Sequence, residues 1–259
     1  MKKAVFVLYG VVAYVIFFLT FLYAIGFVGD YVVVKSVDDG VPGATIISII
    51  VNLMLLGVFG LQHSIMARPG FKKWWTKFVP EPIERSTYVW LSSLALILLF
   101  WQWRPLPAII WQVDNPIGVG LLTALFFAGW LTVLGSTFII NHFDLFGLKQ
   151  VLDYFSDRAT KAPVFAVRLF YKVVRHPLMT GFIVAFWATP YMTAGHLLFA
   201  IGTTGYILVA LQFEERDLVD TFGDQYRQYQ KEVPMLVPFT KGEGGGKETP
   251  TDTSSSETN

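Results

Sequence analysis

Residues 175–238 read RHPLMTGFIVAFWATPYMTAGHLLFAIGTTGYILVALQFEERDLVDTFGDQYRQYQKEVPMLVP. The run opens on Arg175-His176-Pro177-Leu178-Met179-Thr180-Gly181, stays apolar for about 30 residues, and turns polar at Glu214-Glu215-Arg216-Asp217-Leu218. Phe222-Gly223-Asp224-Gln225-Tyr226-Arg227-Gln228-Tyr229 follows, and Val233-Pro234 and Pro238 close the stretch. A polar cluster, an apolar run and a second polar cluster predict a helical hairpin that enters a membrane and returns to its starting side. Its two polar ends then meet at one water–lipid interface, where a functional site is expected.

Working outward, 54% of the 259 residues are hydrophobic and only 15% are charged, with mean hydropathy +0.52. The apolar residues come in blocks at 4–28, 44–66, 87–103 and 116–140, and the hairpin adds 178–193 and 197–213. Roughly 20 residues span a bilayer as a helix. None of the 20 Lys/Arg or 19 Asp/Glu lies inside a block. A charge at a helix centre costs about 2.5–3.5 kcal/mol on insertion, so this exclusion is informative. The fold class is an all-α polytopic membrane protein with four spans and a C-terminal membrane hairpin. The first block follows Lys2 and Lys3 but lacks a cleavage signature, so it is read as a retained span.

Lys/Arg counts set the orientation. The N-terminus has two, the loop near residue 35 one, the loop over 68–85 five, and the next only Arg104. The loop over 149–175 has six, the hairpin tip none and the C-terminal segment five. The alternation places both termini in the cytoplasm. Trp101, Trp103 and Trp111 are expected as an aromatic belt at the opposite face.

Residues 1–240 read as one membrane-embedded domain, and 241–259, rich in Gly, Ser, Thr and Glu, as a disordered tail. Arg168, Lys172 and Arg175 recur on an apolar segment that begins at Pro163, which predicts an amphipathic helix lying on membrane lipids. Leu211, Glu215, Leu218, Phe222, Tyr226, Tyr229 and Val233 fall on one face of a helix continuing from the hairpin. Glu215 is the only charge on that face and needs a partner.

Cysteine is absent, which removes disulfides, Cys-ligated metals and cysteine nucleophiles. No basic patch interleaved with aromatics suggests nucleic acid. His63 ends the second span, His142 the fourth, His176 opens the hairpin and Glu214-Glu215 closes it, all at one membrane face. Polar groups so placed are usually functional. Haem or metal ligation by facing histidines is one reading, although it leaves Arg175 and the Glu pair without a task. The other is a charged, nucleotide-like ligand, with Glu taking amino or hydroxyl groups, Arg and His a carboxylate, and backbone amides near Gly181 adding anion-binding capacity. No Gly-x-Gly-x-x-Gly follows a strand, so a Rossmann site is excluded.

Arg-His-Pro-x-x-x-Gly, Glu-Glu-x-x-Leu and Phe-Gly-x-x-Tyr-x-x-Tyr before Val-Pro resemble the membrane-embedded S-adenosylmethionine methyltransferases, among them the isoprenylcysteine carboxyl and phospholipid methyltransferases. Leu178-Met179 departs from them, because many relatives carry an aromatic residue there. Leu61-Gln62-His63-Ser64-Ile65-Met66-Ala67-Arg68-Pro69, Glu84-Arg85-Ser86-Thr87-Tyr88-Val89, Trp101-Gln102-Trp103-Arg104-Pro105 and Asn141-His142-Phe143-Asp144-Leu145-Phe146-Gly147-Leu148 are similar to the bacterial methanethiol S-methyltransferases. That resemblance implies S-adenosylmethionine as methyl donor, no metal, a small thiol as acceptor and the bacterial inner membrane as location. It implies Arg175, His176, Pro177, Gly181, Glu214, Glu215 and Tyr226 as the donor-binding set. A thiol of pKa ~8.5 or above is mostly protonated at neutral pH and benefits from a base. His142 is the expected base, oriented by Asp144 or Asn141, with His63 in reserve. A lipidic acceptor and a haem- or quinol-interacting subunit are the competing expectations.

Overall fold

The computed structural model describes residues 1–158, 167–240 and 242. Among these, five helices are long and apolar enough to cross a membrane. They are α1 (Lys2–Gly29), α2 (Thr45–Ala67), α4 (Glu81–Gln102), α5 (Pro116–Ile140) and α9 (Ala194–Phe222). Shorter helices are α3 (Pro69–Trp75), α6 (His142–Leu145), α7 (Leu148–Phe155), α8 (Pro177–Trp187) and α10 (Asp224–Glu232). Two short strands, β1 (Ile109–Gln112) and β2 (Tyr191–Thr193), pair antiparallel. Leu19, Leu61, Ile117, Leu131 and Val209 are among many large apolar side chains left exposed on the long helices. Water would penalise that surface heavily, whereas hydrocarbon accommodates it. The protein is an all-α integral membrane protein.

The helices form a circuit. α4 lies between α1 and α2, α2 also touches α9, α9 touches α8, and α8 packs closely along α5. Phe21 of α1 meets Trp130 of α5 edge-on and closes the ring. Polar contacts between elements sort to the two ends. At one end Lys3 pairs with Asp157, Arg68 with Asp217, and Arg85 donates to the Leu145 carbonyl. At the other end Thr193 donates to Asp38, Lys35 to the Trp101 carbonyl, and Asn52 clasps the Arg104 backbone. The N-terminus, the 68–80 connection, the region after α5 and the segment after α9 therefore share one end, in step with the alternating basic loops.

The far half is filled by an aromatic core that includes Phe27, Phe100, Trp103, Phe126, Trp130, Phe186 and Phe199. Trp103 is buried there, so it serves the core and not the expected interfacial belt; Trp101 is exposed, as a belt residue would be. The near half holds a smaller cluster around Met66, Tyr88 and Val89, and the polar site.

The local structure differs from the linear reading in several places. The first hairpin arm is helical for only 11 residues, about 16 Å at 1.5 Å per residue. Pro190 disfavours helix at Thr189, and the crossing continues extended into β2. Pairing with β1 satisfies backbone groups that a lipid environment would leave orphaned. The helix after the hairpin breaks at Gly223, whose φ of 59° and ψ of −131° admit glycine almost alone. The basic loop over 68–85, counted above only for its charge, contains the short helix α3 with Pro69 at its start, and Pro82 sits in the first turn of α4. Of the amphipathic helix expected from Pro163, residues 159–166 lie outside the described residues, and 169–172 form only a 3₁₀ turn. Leu169, with φ 44°, blocks helical propagation there. The tail, 241–259, lies outside the described residues apart from Gly242.

Candidate active site

Glu215 is the hub of the near-end site. It projects from α9, two residues beyond the last apolar position of the span, and its side chain is only 10% exposed. Its Oε1 accepts from Arg175 Nε (3.0 Å), from Tyr226 Oη (2.8 Å) and from His176 Nε2, and its Oε2 accepts from Gln230 Nε2 (2.6 Å). The carboxylate is an acceptor only, so Nε2 of His176 carries its proton. A charged guanidinium and three further donors compensate the burial and keep Glu215 ionised. The expected need for a partner is met four times over.

Local sequence explains the convergence. Pro177 takes the first position of α8, where its missing N–H is no loss, and this leaves Arg175 and His176 outside the helix ahead of it. Their backbone amides pair with the carbonyls of Pro234 (2.9 Å) and Met235 (3.1 Å). Thr180 Oγ1 donates to Leu236 (2.8 Å), which completes a strap formed by the Val-Pro segment. Arg175 Nη1 reaches the carbonyls of Gln230 and Val233 at the end of α10. Tyr226 and Gln230, four apart on α10, face the same carboxylate. Burial, and donation to Glu215, push the Tyr226 phenol above its ordinary range, so it remains a donor at neutral pH.

Glu214 is half exposed and lies 3.8 Å from Nδ1 of His176, so the imidazole stands between two carboxylates. Two recesses adjoin at Met235. One, about 280 Å³, is lined by Glu215, Arg216, Asp220 and Gln230. The other, about 340 Å³, runs along Arg175 and residues 234–237. Together they offer carboxylates for an ammonium or hydroxyls, a guanidinium for a carboxylate, and an apolar wall. Gly181 does not join this set. A Cβ there would meet the Gly129 carbonyl at 2.7 Å and the Val133 amide at 2.9 Å, so this glycine lets α5 and α8 touch backbone to backbone.

His142 lies on α6 and is 3% exposed. Its partners differ from those expected. Nδ1 is 2.8 Å from Thr137 Oγ1, and Nε2 is 2.8 Å from Tyr14 Oη. Thr137 spends its own proton on the Leu134 carbonyl (2.7 Å), so it accepts from Nδ1–H. Nε2 is then the basic nitrogen and accepts from the Tyr14 hydroxyl. The ring stacks on Phe138 at 4.2 Å, and burial lowers its pKa below the ordinary 6.5, which keeps it neutral. Asn141 and Asp144 do not orient it. The Asn141 amide caps α5 and its side chain leans to Asp144, which is held by Gln150 (2.8 Å) and Lys149 (3.6 Å).

The α5–α8 seam brings the two centres to one level. Gly129 opposes Gly181 and Ala185, and Val133 opposes Gly181. In this antiparallel register the end of α5, where Thr137 holds His142, and the start of α8, which His176 precedes, lie at the same end of the seam. His63 lies elsewhere in the ring, between α2 and α4, with the Tyr88 hydroxyl 2.9 Å from Nε2 and Ser92 3.3 Å from Nδ1. His196, at the far end, bonds the Phe186 carbonyl (2.9 Å). Gln230, Tyr14 and Thr137 were not singled out from sequence. The i, i+4 spacing from Tyr226 marks Gln230, whereas nothing in the apolar first block marks Tyr14. Among the described residues no three His, Asp or Glu gather as a metal-ligating group.

The family described as "NnrU protein" matches residues 51–237. The chain is 59% identical over 239 residues to a protein of Mycobacterium tuberculosis named methanethiol S-methyltransferase, covering 92% of this chain and 98% of that one. It is 56% identical over 239 residues to methanethiol S-methyltransferase 1 of Bradyrhizobium diazoefficiens, covering 92% and 84%. It is 30% identical over 183 residues to nurim of Bos taurus, covering 67% and 69%. No solved structure matches.

Proposed function

This chain belongs to the NnrU protein family, within its methanethiol S-methyltransferases, and from that premise we propose that it methylates methanethiol to dimethyl sulfide with S-adenosylmethionine as donor. The chemistry takes place at the cytoplasmic face of a bacterial inner membrane. The carrying observation is the Glu215 cluster, a preorganised acceptor with Arg175, His176, Tyr226 and Gln230 fixed around it.

The donor set fits the proposed ligand. Among the described residues Glu215 Oε2 accepts from Gln230 alone, and it lines a recess with Asp220 and Arg216, so a carboxylate and a guanidinium are available to an amino-acid head. Glu214 and His176 extend the polar surface toward ribose-type hydroxyls. When bound, S-adenosylmethionine supplies an electrophilic methyl group on a sulfonium. The chain's task is to align two reactants and exclude water, since the displacement itself is simple. The aromatic core behind the site closes the far half of the ring. His142, neutral and held by Thr137 at the end of α5, takes the thiol proton at Nε2. His63, enclosed by Tyr88 and Ser92, is the reserve.

Headspace gas chromatography of membranes containing the full chain, given methanethiol and S-adenosylmethionine, tests this reading. Dimethyl sulfide that requires both substrates and vanishes in Glu215→Ala is the expected result. Methyl label entering the lipid fraction without dimethyl sulfide would keep the site and transfer the function to a lipidic acceptor.

A further inference from the structure

His142 is closed to direct approach. Its Nδ1–H is committed to Thr137, its ring lies against Phe138, and among the described residues its basic nitrogen meets only the Tyr14 hydroxyl. With the residue 3% exposed, a proton bound for Nε2 must pass through that hydroxyl or displace it. Tyr14 itself is partly exposed on α1. Its ring is bordered by Phe18 and Phe143, both open to the surroundings of the helix ring. A small apolar thiol that arrives at this aromatic edge meets the Tyr14 hydroxyl before it meets the His142 ring.

We propose that Tyr14 is a catalytic residue, whose phenol passes the acceptor thiol's proton to Nε2 of His142. The proposal rests on His142 being the base. As the S–H bond breaks, its proton goes to the Tyr14 oxygen while the Tyr14 proton goes to Nε2, leaving a thiolate and an imidazolium. The thiolate sulfur forms the new bond to the methyl carbon, and the carbon–sulfur bond of the donor breaks with its electron pair returning to that sulfur. Once the product has left, the Nε2 proton returns to the Tyr14 oxygen as Tyr14 releases its own proton to a water in the place the thiol held. The phenol releases one proton as it takes up the other and carries no net charge at any point, which suits a relay. Thr137, accepting from Nδ1–H and donating to Leu134, is the positioning residue that fixes the tautomer.

The test compares Tyr14→Phe, His142→Gln and the double variant in membranes, with S-adenosylmethionine and either methanethiol or thiophenol. Thiophenol is already ionised at neutral pH and needs no base. For methanethiol, each single variant is expected to lose about tenfold to a hundredfold in kcat/KM, and the double variant no more than the worse single. With thiophenol all three are expected within about threefold of the unsubstituted protein. Full methanethiol turnover by Tyr14→Phe, with His142→Gln impaired, overturns the relay and leaves the base. Full turnover by both removes base and relay together. Equal losses with both thiols make the Tyr14–His142 bond structural and overturn the relay. If Tyr14→Phe does not fold, 3-fluorotyrosine at position 14 keeps the hydroxyl and makes it more acidic. A change in methanethiol turnover with unchanged thiophenol turnover supports the relay; no change with either overturns it.

Discussion

Glu215 stood out in the sequence because a lone carboxylate on an apolar helix face cannot remain unpartnered. Its partners could not be read, because they are contributed by residues 11 to 40 positions away. Replacing it by Gln puts an N–H where an acceptor is needed and leaves Arg175 buried beside a neutral group, a loss on the order of 3–5 kcal/mol. Dimethyl sulfide formation and calorimetric binding of S-adenosylmethionine are both expected to fall by at least about a hundredfold. Gln230→Leu is milder, since it removes only the donor to Oε2. A bond to a charged group of about 1.5–3 kcal/mol predicts a KM for the donor raised by roughly tenfold or more with kcat little changed. His142 carries a pH prediction. Burial lowers its pKa below 6.5, so the basic form persists at more acid pH than for a free imidazole. The acid limb of kcat/KM for methanethiol is therefore expected below pH 6.5, and a limb at or above that value would contradict His142 as base.

At the scale of elements, the α5–α8 seam is a backbone-to-backbone contact between two helices. Gly181 and Gly129 each face the other helix's backbone, which cannot give way as a flexible side chain can. Gly181→Ala is expected to cost about 1–3 kcal/mol, lowering the thermal midpoint in detergent by about 2–4 °C per kcal/mol. Gly57→Ala in α2 has nothing within 4 Å of the new methyl and is expected to leave the midpoint unchanged or slightly raised. The motif Arg-His-Pro-x-x-x-Gly marked Gly181 as part of the site, yet one sequence does not say whether a glycine admits a ligand or a helix. Here it admits a helix. In the same way, hydropathy marked residues 178–193 as apolar but could not separate a spanning helix from a short helix followed by a strand.

At the scale of the whole chain, the two polar ends and the alternating basic loops lead to one topology prediction. The protein has no cysteine, so single cysteines can be placed freely. Asp114→Cys is expected to react in intact cells with a membrane-impermeant maleimide that enters the periplasm. Lys77→Cys and Asp224→Cys are expected to react only after the membrane is opened. Labelling of Asp224→Cys in intact cells would reverse the orientation and move the site to the other face.

Hydrophobic patterning by itself determined that the chain is helical and membrane-embedded, and that the Arg-His-Pro and Glu-Glu segments return to one side. Those properties depend on transfer free energies that accumulate along consecutive residues, so a linear reading recovers them. Only the tertiary structure decided that Gln230 completes the Glu215 cluster, that Thr137 and Tyr14 hold His142 in place of Asn141 and Asp144, and that Gly181 belongs to the α5–α8 seam. Each of those outcomes is a choice among several chemically adequate partners. The choice is made by which side chains the helix ring brings within hydrogen-bond reach, and Tyr14 and His142 meet across 128 positions of sequence.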